Sequence, residues 1–160
     1  MAEAIPFTKE GFAQLSEELH RLKSHDRPKI IQDIADARSH GDLSENAEYA
    51  AARERQGWIE ARIADLDDKL SRAKVINYED EGGTPQQVRF GAWVTVSDEA
   101  SGEEKTYRIV GDLESDIAKN KISLSSPIAK ALLGKRVDDN IEVHAPKGSI
   151  SYVITDLRYE

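Results

Sequence analysis

The sequence contains no cysteine, which excludes disulfide bonds and thiolate metal sites. Its four histidines, His20, His25, His40 and His144, do not have the spacing of a zinc site. No apolar run approaches the ~20 residues that a membrane-spanning helix needs. The N-terminal residues also lack the basic and apolar regions of a signal peptide. We therefore expect a soluble, cytoplasmic protein that has no contact with a membrane.

Positive charge is also scarce. The chain has 22 Lys and Arg against 30 Asp and Glu, which gives a net charge of −8. Because neutralisation of phosphates by Lys and Arg supplies most nucleic-acid affinity, we expect no independent high-affinity binding to nucleic acid. A strongly positive partner surface would attract this chain. Charged residues make up 32% of the sequence, which is typical of a long exposed helical element with little interior.

Two stretches of the N-terminal half have the apolar spacing of a coiled coil. Their apolar residues recur mostly in steps of three and four, at Phe12, Leu15, Leu19, Leu22, Ile30 or Ile31, Ile34 and Ala37 in the first and at Tyr49, Ala52, Ile59, Ile63, Leu66, Leu70 and Ala73 in the second. Thr8 is a suitable N-cap for the first helix, and Gly41 suits its C-terminal end. Because the link Ser39–Asp42 is short, the helices must fold back antiparallel, in a hairpin roughly 45 Å long.

Pro28 interrupts the first apolar pattern, which resumes slipped by about one residue. Because proline clashes with the preceding helical turn, we expect a break or kink at Asp26–Pro28. Trp58 lies as many residues from a turn centred on Leu43 as Pro28 does, and Gly57 would then lie beside the proline break. We expect Trp58 to fill an irregular layer opposite the proline, although the two features could be unrelated.

The hydrophobic period changes after Asn77. A polar, turn-rich segment at residues 79–85 is predicted to be a linker. Strand-like runs follow at Val88–Val96, Thr106–Val110, Lys121–Leu124, Ile141–His144 and Ser151–Leu157. Ser126, Pro127 and Gly134 stand where a short helix would begin and end.

These patterns predict an α+β protein with two domains. Residues 1–77 would form an antiparallel two-helix coiled-coil hairpin with an acidic tip. Residues 78–160 would form a small antiparallel β domain with one short helix.

Asp42 and Glu45 lie at the hairpin turn, three residues apart. By itself this spacing favours a capping box at the start of the second helix. A hairpin tip can also enter a deep channel, where two carboxylates could supply part of a Mg²⁺ shell that a partner and substrate phosphates complete. The two roles are compatible, because one carboxylate can cap while the other binds metal. An EF-hand is a poor alternative, since Ala47 and Arg53 stand where it needs glycine and glutamate.

Arg38, Arg53 and Arg55 lie within a few turns of the tip. The simpler interpretation is salt bridging with acidic neighbours on a solvated face. The alternative is a small basic patch that steadies a nucleic-acid 3′ end.

Two segments at the tip, His40–Tyr49 and Ala51–Glu54, resemble the hairpin tip of the Gre transcript cleavage factors, the A type in particular. The match continues through Tyr107–Asp112, Ser126–Lys130 and Leu133–Lys135, in the expected order over nearly the whole chain. Such coverage makes the resemblance highly specific.

This resemblance implies that bacterial RNA polymerase is the partner. The β domain, similar to FKBP prolyl isomerases, would dock on the rim of the polymerase secondary channel through Ser125, Ser126 and Pro127. The hairpin would reach the active centre, where Asp42 and Glu45 help hold a second Mg²⁺ that is shared with the polymerase. The 3′ end of backtracked nascent RNA would then be hydrolysed, which rescues arrested complexes.

The resemblance also makes Arg38 and Arg53 candidates for contacting RNA. The protein would not itself be an enzyme and would hold no metal stably alone. Ala50 departs from the family, which often has histidine there, so a contact at that position is in doubt. The modest number of basic residues favours the A type over the more basic B type.

Three alternatives stay open. An inhibitory Gre relative would share the fold and the docking, although such relatives usually carry a more acidic tip. An independent prolyl isomerase would need an aromatic pocket, drawn from Phe90, Trp93, Tyr107, Tyr152 and Tyr159. The third is a purely structural coiled-coil adaptor.

Overall fold

The computed structural model describes residues 3–41, 46–78 and 87–159. It has a helical hairpin in the N-terminal half and a curled, mainly antiparallel sheet in the C-terminal half, which confirms the α+β prediction. No helix in the described ranges is long and apolar enough to cross a membrane. The predicted linker at 79–85 lies outside the described residues.

The chain divides into two compact units. One comprises Met1–Ile5 and Phe12–Ala73, and the other comprises Pro6–Gly11 and Lys74–Glu160. The short segment Pro6–Gly11 therefore belongs with the C-terminal residues. The predicted division into residues 1–77 and 78–160 does not include this long-range grouping. The position of that boundary stays a prediction.

The helices of the hairpin are α1 (Lys9–Arg21), a π-helical segment (Leu22–Asp26), α2 (Arg27–Arg38) and α3 (Ala47–Ser71). Their core consists of apolar residues that the periodicity predicted, with Leu22, Ile30, Ile34, Ile59, Ile63 and Leu66 buried, whereas Ile31 is exposed. Ion pairs join the arms at the surface, Lys23 to Asp67 and Arg27 to Glu60.

A further ion pair joins Arg62 to Glu18, with 2.6 Å between Nε and Oε2. The hydrogen bond from Arg62 holds the pKa of Glu18 below its usual value. Glu18 therefore contributes stability in the neutral range, and that contribution is lost as pH falls through its lowered pKa.

The predicted break at Asp26–Pro28 is not a break but a π-helical segment. Asp26 keeps helical dihedrals, and the Arg27 N–H donates to the Leu22 carbonyl five residues back. A π-helical turn holds one residue more than an α-helical turn. This extra residue accounts for the slip in the apolar pattern, so that Leu22 and Ile30 both reach the core facing α3.

The prediction that Trp58 fills a layer opposite Pro28 is wrong. The Trp58 side chain is 61% exposed, whereas its neighbour Ile59 is 1% exposed. An equal number of residues from the tip does not determine which side of α3 faces the first arm of the hairpin. Successive residues are rotated by about 100°, and the rotation that buries Ile59 leaves Trp58 outside.

The sheet of the second unit contains β3 (Trp93–Asp98), β4 (Glu104–Val110), β5 (Lys121–Ser123), β6 (Asn140–Ala145) and β7 (Gly148–Arg158). Its strand order is β5-β4-β3-β7-β6, and every pair is antiparallel except β4–β5, which is parallel. A separate two-stranded sheet pairs β1 (Ile5–Phe7) with β2 (Ala73–Val75).

The first predicted strand begins five residues later than expected, at Trp93 rather than Val88. Gly91 has a φ of +89°, which turns the chain before the strand. Val88 and Ala92 are nevertheless buried in the core of the unit. Burial rather than pairing therefore explains the apolar residues before Trp93.

The predicted short helix is α4 (Pro127–Leu132). Ser126 is its N-cap, with Oγ accepting a hydrogen bond from the Ala129 N–H at 3.3 Å. Gly134 follows with a φ of +84°. Both the beginning and the end of this helix agree with the sequence signals.

Candidate functional site

The two carboxylates predicted for metal binding, Asp42 and Glu45, lie outside the described residues. The chain is described up to Gly41 on one side and from Asn46 on the other. The site is therefore built from the residues that border the acidic segment.

Helix α3 is capped by Asn46, whereas the predicted capping box of Asp42 and Glu45 lies outside the described residues. The Asn46 Oδ1 accepts a hydrogen bond from the Tyr49 N–H at 3.0 Å, and Asn46 has the extended dihedrals of an N-cap. The helix begins at Ala47. Asparagine is among the preferred N-cap residues, so a local signal for this cap was present in the sequence.

The end of α2 and the beginning of α3 are also joined directly. The Asn46 Nδ2 donates to the Ala37 carbonyl at 2.7 Å. The Arg38 guanidinium lies 5.9 Å from the centre of the Tyr49 ring, within the range of a cation–π contact. His40 Nδ1 and Glu48 Oε2 are 3.3 Å apart, but both side chains are exposed, so this pair adds little.

The candidate RNA contacts Arg38 and Arg53 line the same groove beside the tip. The groove has a volume of about 250 Å³, and Ile31 and Gln56 also line it. Neither arginine forms an ion pair with any other residue in the described ranges. The simpler interpretation, salt bridging with acidic neighbours, is therefore not seen among the described residues.

A second groove of about 410 Å³ has the opposite charge. Three carboxylates and one guanidinium line it, from Asp33, Asp36, Glu48 and Arg55. Arg55 therefore lies in a different groove from Arg38 and Arg53, although the sequence places all three near the tip. The side of the helix on which each arginine lies sets this division.

The residues predicted to dock on the polymerase rim form one continuous segment before and at the start of α4. Ser125 and Pro127 are exposed, and Ser126 is half-buried as the cap of the helix. The Ser125 Oγ donates to Asp112 Oδ1 at 2.9 Å, and its N–H donates to Ser123 Oγ at 3.1 Å.

Asp112 and Ser123 support this segment and were not identified as site residues from the sequence. The Ser123 Oγ donates to Asp112 Oδ1, and the Ser123 and Ser125 Oγ atoms are 2.8 Å apart. The parallel pairing of β4 with β5 brings the end of β4 close to Ser123. Pairing between strands separated in sequence leaves no local signal.

Among the described residues, the aromatic side chains do not line one large pocket of the kind that a prolyl isomerase would need. Tyr152 is buried in the core, and Trp93 lies against the guanidinium of Arg158, 5.5 Å from the ring centre. The cavity beside Phe90 and Tyr159 has a volume of only about 10 Å³, enough for one water at most.

In the part of the chain that the structure describes, no group combines three or more His, Cys, Asp or Glu side chains in a position to hold a metal ion.

Comparison with known protein families covers both halves of the chain. A family model described as "Transcription elongation factor, N-terminal" matches residues 5–75. A second, described as "Transcription elongation factor, GreA/GreB, C-term", matches residues 83–159. The chain belongs to the GreA/GreB family of transcription elongation factors. This confirms the resemblance seen in the sequence motifs.

Individual relatives support the A type within this family. The protein "Transcription elongation factor GreA" of Trichlorobacter lovleyi is 54% identical over 160 residues, covering 100% of both chains. The protein of the same name from Rhodospirillum rubrum is 55% identical over 157 residues, 98% of this chain and 99% of its own. Among solved structures, Gfh1 of Thermus thermophilus is 29% identical over 98% of this chain and 99% of that one, with a TM-score of 0.43.

Proposed function

We propose that this elongation factor inserts its hairpin through the secondary channel of bacterial RNA polymerase and stimulates Mg²⁺-dependent hydrolysis of the 3′ end of backtracked nascent RNA. It contributes carboxylates to the polymerase active centre and is not an enzyme by itself. The hairpin carries the proposal: two helical arms with an apolar core flank the segment of the sequence that contains Asp42 and Glu45.

Each part of the chain has a separate task in this proposal. Carboxylates are the hard oxygen ligands that Mg²⁺ prefers, and when bound the ion would activate an attacking water. Asp42 and Glu45 supply those oxygens. The groove of Arg38 and Arg53 attracts RNA phosphates, because the described residues that line it include two guanidinium groups and no carboxylate.

Docking on the rim of the channel is assigned to the exposed segment Ser125–Pro127. Its hydroxyl groups are held by Asp112 and by the cap of α4, and the Ser125 N–H is held by Ser123. A segment that is already ordered before binding loses less conformational entropy when it binds, which favours a stable interface.

The central test replaces both tip carboxylates, Asp42→Asn and Glu45→Gln. Because Asn46 caps α3, neither change removes the cap, and we expect melting and polymerase binding close to wild type. Each change replaces an anionic oxygen by a poorer neutral ligand. Cleavage of RNA in halted polymerase complexes should therefore fall severely, and excess Mg²⁺ should partly restore it.

The matched control is the pair Asp33→Asn and Asp36→Asn, which removes the same charge from the acidic groove of the hairpin. This control should retain stimulation. Stimulation that survives in the Asp42/Glu45 variant would contradict the metal role. A wild-type chain that binds polymerase without stimulating cleavage would instead indicate an inhibitory relative.

A further inference from the structure

The Asn46 side chain makes two hydrogen bonds that point to different arms of the hairpin. Its Oδ1 accepts from the Tyr49 N–H within α3, and its Nδ2 donates to the Ala37 carbonyl of α2. Exchanging the amide oxygen and nitrogen would break both bonds, since a carbonyl cannot donate and an N–H cannot accept. The orientation of the amide follows from this pattern.

The acceptor belongs to the last turn of α2, where helix carbonyls lack partners within the helix. The Ala37 carbonyl also accepts from the His40 N–H at 3.2 Å, and the Ala37 side chain is buried. The bond from Asn46 therefore joins one arm to the other on the side of the core. Residues 42–45, which include Asp42 and Glu45, connect Gly41 to Asn46 in the sequence. The bond from Asn46 to Ala37 helps to fix the distance between the two ends of this segment.

We propose that Asn46 is a positioning residue for the acidic tip. By tying the start of α3 to the end of α2, it limits the positions that Asp42 and Glu45 can take. This inference rests on the proposed function, because it concerns the placement of the carboxylates in the polymerase active centre. Chemistry of this kind is sensitive to placement, and a displacement of about 1 Å can lower a rate about 100-fold.

Three substitutions separate the tie between the arms from the cap of α3. Asn46→Asp keeps an oxygen that accepts from Tyr49 but has no N–H for Ala37. Asn46→Ser also keeps a cap, with a side chain too short to make both bonds, and adds no charge. Asn46→Ala removes both bonds.

The readouts are the melting temperature, the factor concentration that gives half-maximal stimulation, and the maximal rate of RNA cleavage in halted complexes. For Asn46→Asp and Asn46→Ser, we expect the half-maximal concentration to stay within about twofold, because the docking segment is unchanged. The maximal rate should fall by about 10- to 100-fold, since only the placement of the carboxylates is affected.

A second-site variant tests whether any loss is merely a loss of helix stability. Gly57 lies exposed within α3, and a Cβ added there would meet no heavy atom within 4 Å. Gly57→Ala should therefore strengthen α3 and raise the melting temperature of Asn46→Ala. A positioning role predicts that the cleavage rate of this double variant stays low although its melting temperature recovers.

Four results would overturn the inference. The first is a full maximal rate in both Asn46→Asp and Asn46→Ser, and the second is a loss in Asn46→Asp alone, which would indicate a charge effect. The third is a higher half-maximal concentration with an unchanged maximal rate. The fourth is recovery of the cleavage rate when Gly57→Ala is added to Asn46→Ala. Failure of the proposed function would look different, because the wild-type chain itself would then give no cleavage.

Discussion

At the scale of single residues, the side of the helix decides what each side chain near the tip can do. Arg53 and Arg55 are two residues apart on α3 but line grooves of opposite charge. Residues two apart on a helix point in nearly opposite directions. The two arginines therefore form a matched pair of the same residue type in different surroundings.

If RNA follows the basic groove, Arg53→Gln should weaken crosslinking of backtracked RNA to the hairpin and slow stimulated cleavage several-fold. Arg55→Gln should leave both close to wild type, because its groove is dominated by carboxylates that repel phosphate. The measurement is photocrosslinking from the RNA 3′ end together with cleavage rates. Equal effects of the two substitutions would contradict an RNA path along one side of the hairpin.

Trp58 and Ile59 form a second neighbouring pair. Trp58 is exposed, so Trp58→Ala should change the free energy of unfolding by no more than about 0.5 kcal/mol. Ile59 is buried in the hairpin core, so Ile59→Ala should cost about 2–5 kcal/mol. Denaturant unfolding of both variants checks this, and ready quenching of Trp58 fluorescence provides an independent measurement. A large loss in Trp58→Ala would restore the idea that it fills a gap.

At the scale of elements, the π-helical segment allows the first arm to contain both Pro28 and a slipped apolar pattern. Pro28 has no N–H to donate, and the apolar pattern before and after it differs by one residue. The Arg27 N–H reaches back to Leu22, so the segment holds the additional residue without interrupting the helix. The spacing of eight residues between Leu22 and Ile30 then places both in the core.

This account predicts the effect of removing one residue. Deleting His25 together with Pro28→Ala shortens the step from Leu22 to Ile30 from eight positions to seven, which is the repeat of an ordinary heptad. The free energy of unfolding should therefore be no lower than that of Pro28→Ala alone, and circular dichroism should show a fully helical arm. Deleting Glu54 from α3, which has no π-helical segment, is the control and should destabilise the hairpin strongly. Equal losses from the two deletions would show that the segment does not absorb a residue.

At the scale of the whole molecule, the segment Pro6–Gly11 determines which variant can test the proposed docking separately from the proposed cleavage. The Glu114 carboxylate accepts hydrogen bonds from the Thr8 hydroxyl and N–H, and Arg108 donates to Glu10 at 3.0 Å. A fragment starting at residue 78 would lose these partners. It would leave the largely buried Arg108 without its carboxylate, which is costly.

A shortened hairpin in the complete chain is the better experiment. Replacing residues 28–59 by a short glycine-rich turn leaves the Arg27–Glu60 pair at the new end and shortens the two helical arms by roughly 17 and 20 Å. We expect this variant to compete with wild type for polymerase but not to stimulate cleavage, because its tip cannot reach the metal. Competition binding and cleavage assays on halted complexes measure the two properties. Failure to compete would show that the hairpin also contributes to docking.

Local patterns were sufficient for much of this protein. Apolar residues in steps of three and four predicted the arms and core of the hairpin, because one helix face must be buried. Ser126, Pro127 and Gly134 predicted a short helix, because each suits one position at a helix end. The tip motif indicated the family, which the comparisons confirmed over both halves of the chain.

Other features depended on contacts between residues distant in sequence. The cap of α3 is Asn46, whose side chain also reaches Ala37 in the other arm. The rotation of α3 against α2 left Trp58 outside. Parallel pairing of β4 with β5 brought Asp112 to Ser125. Periodicity and residue preferences describe one segment at a time, whereas packing and hydrogen bonding between segments decide these contacts.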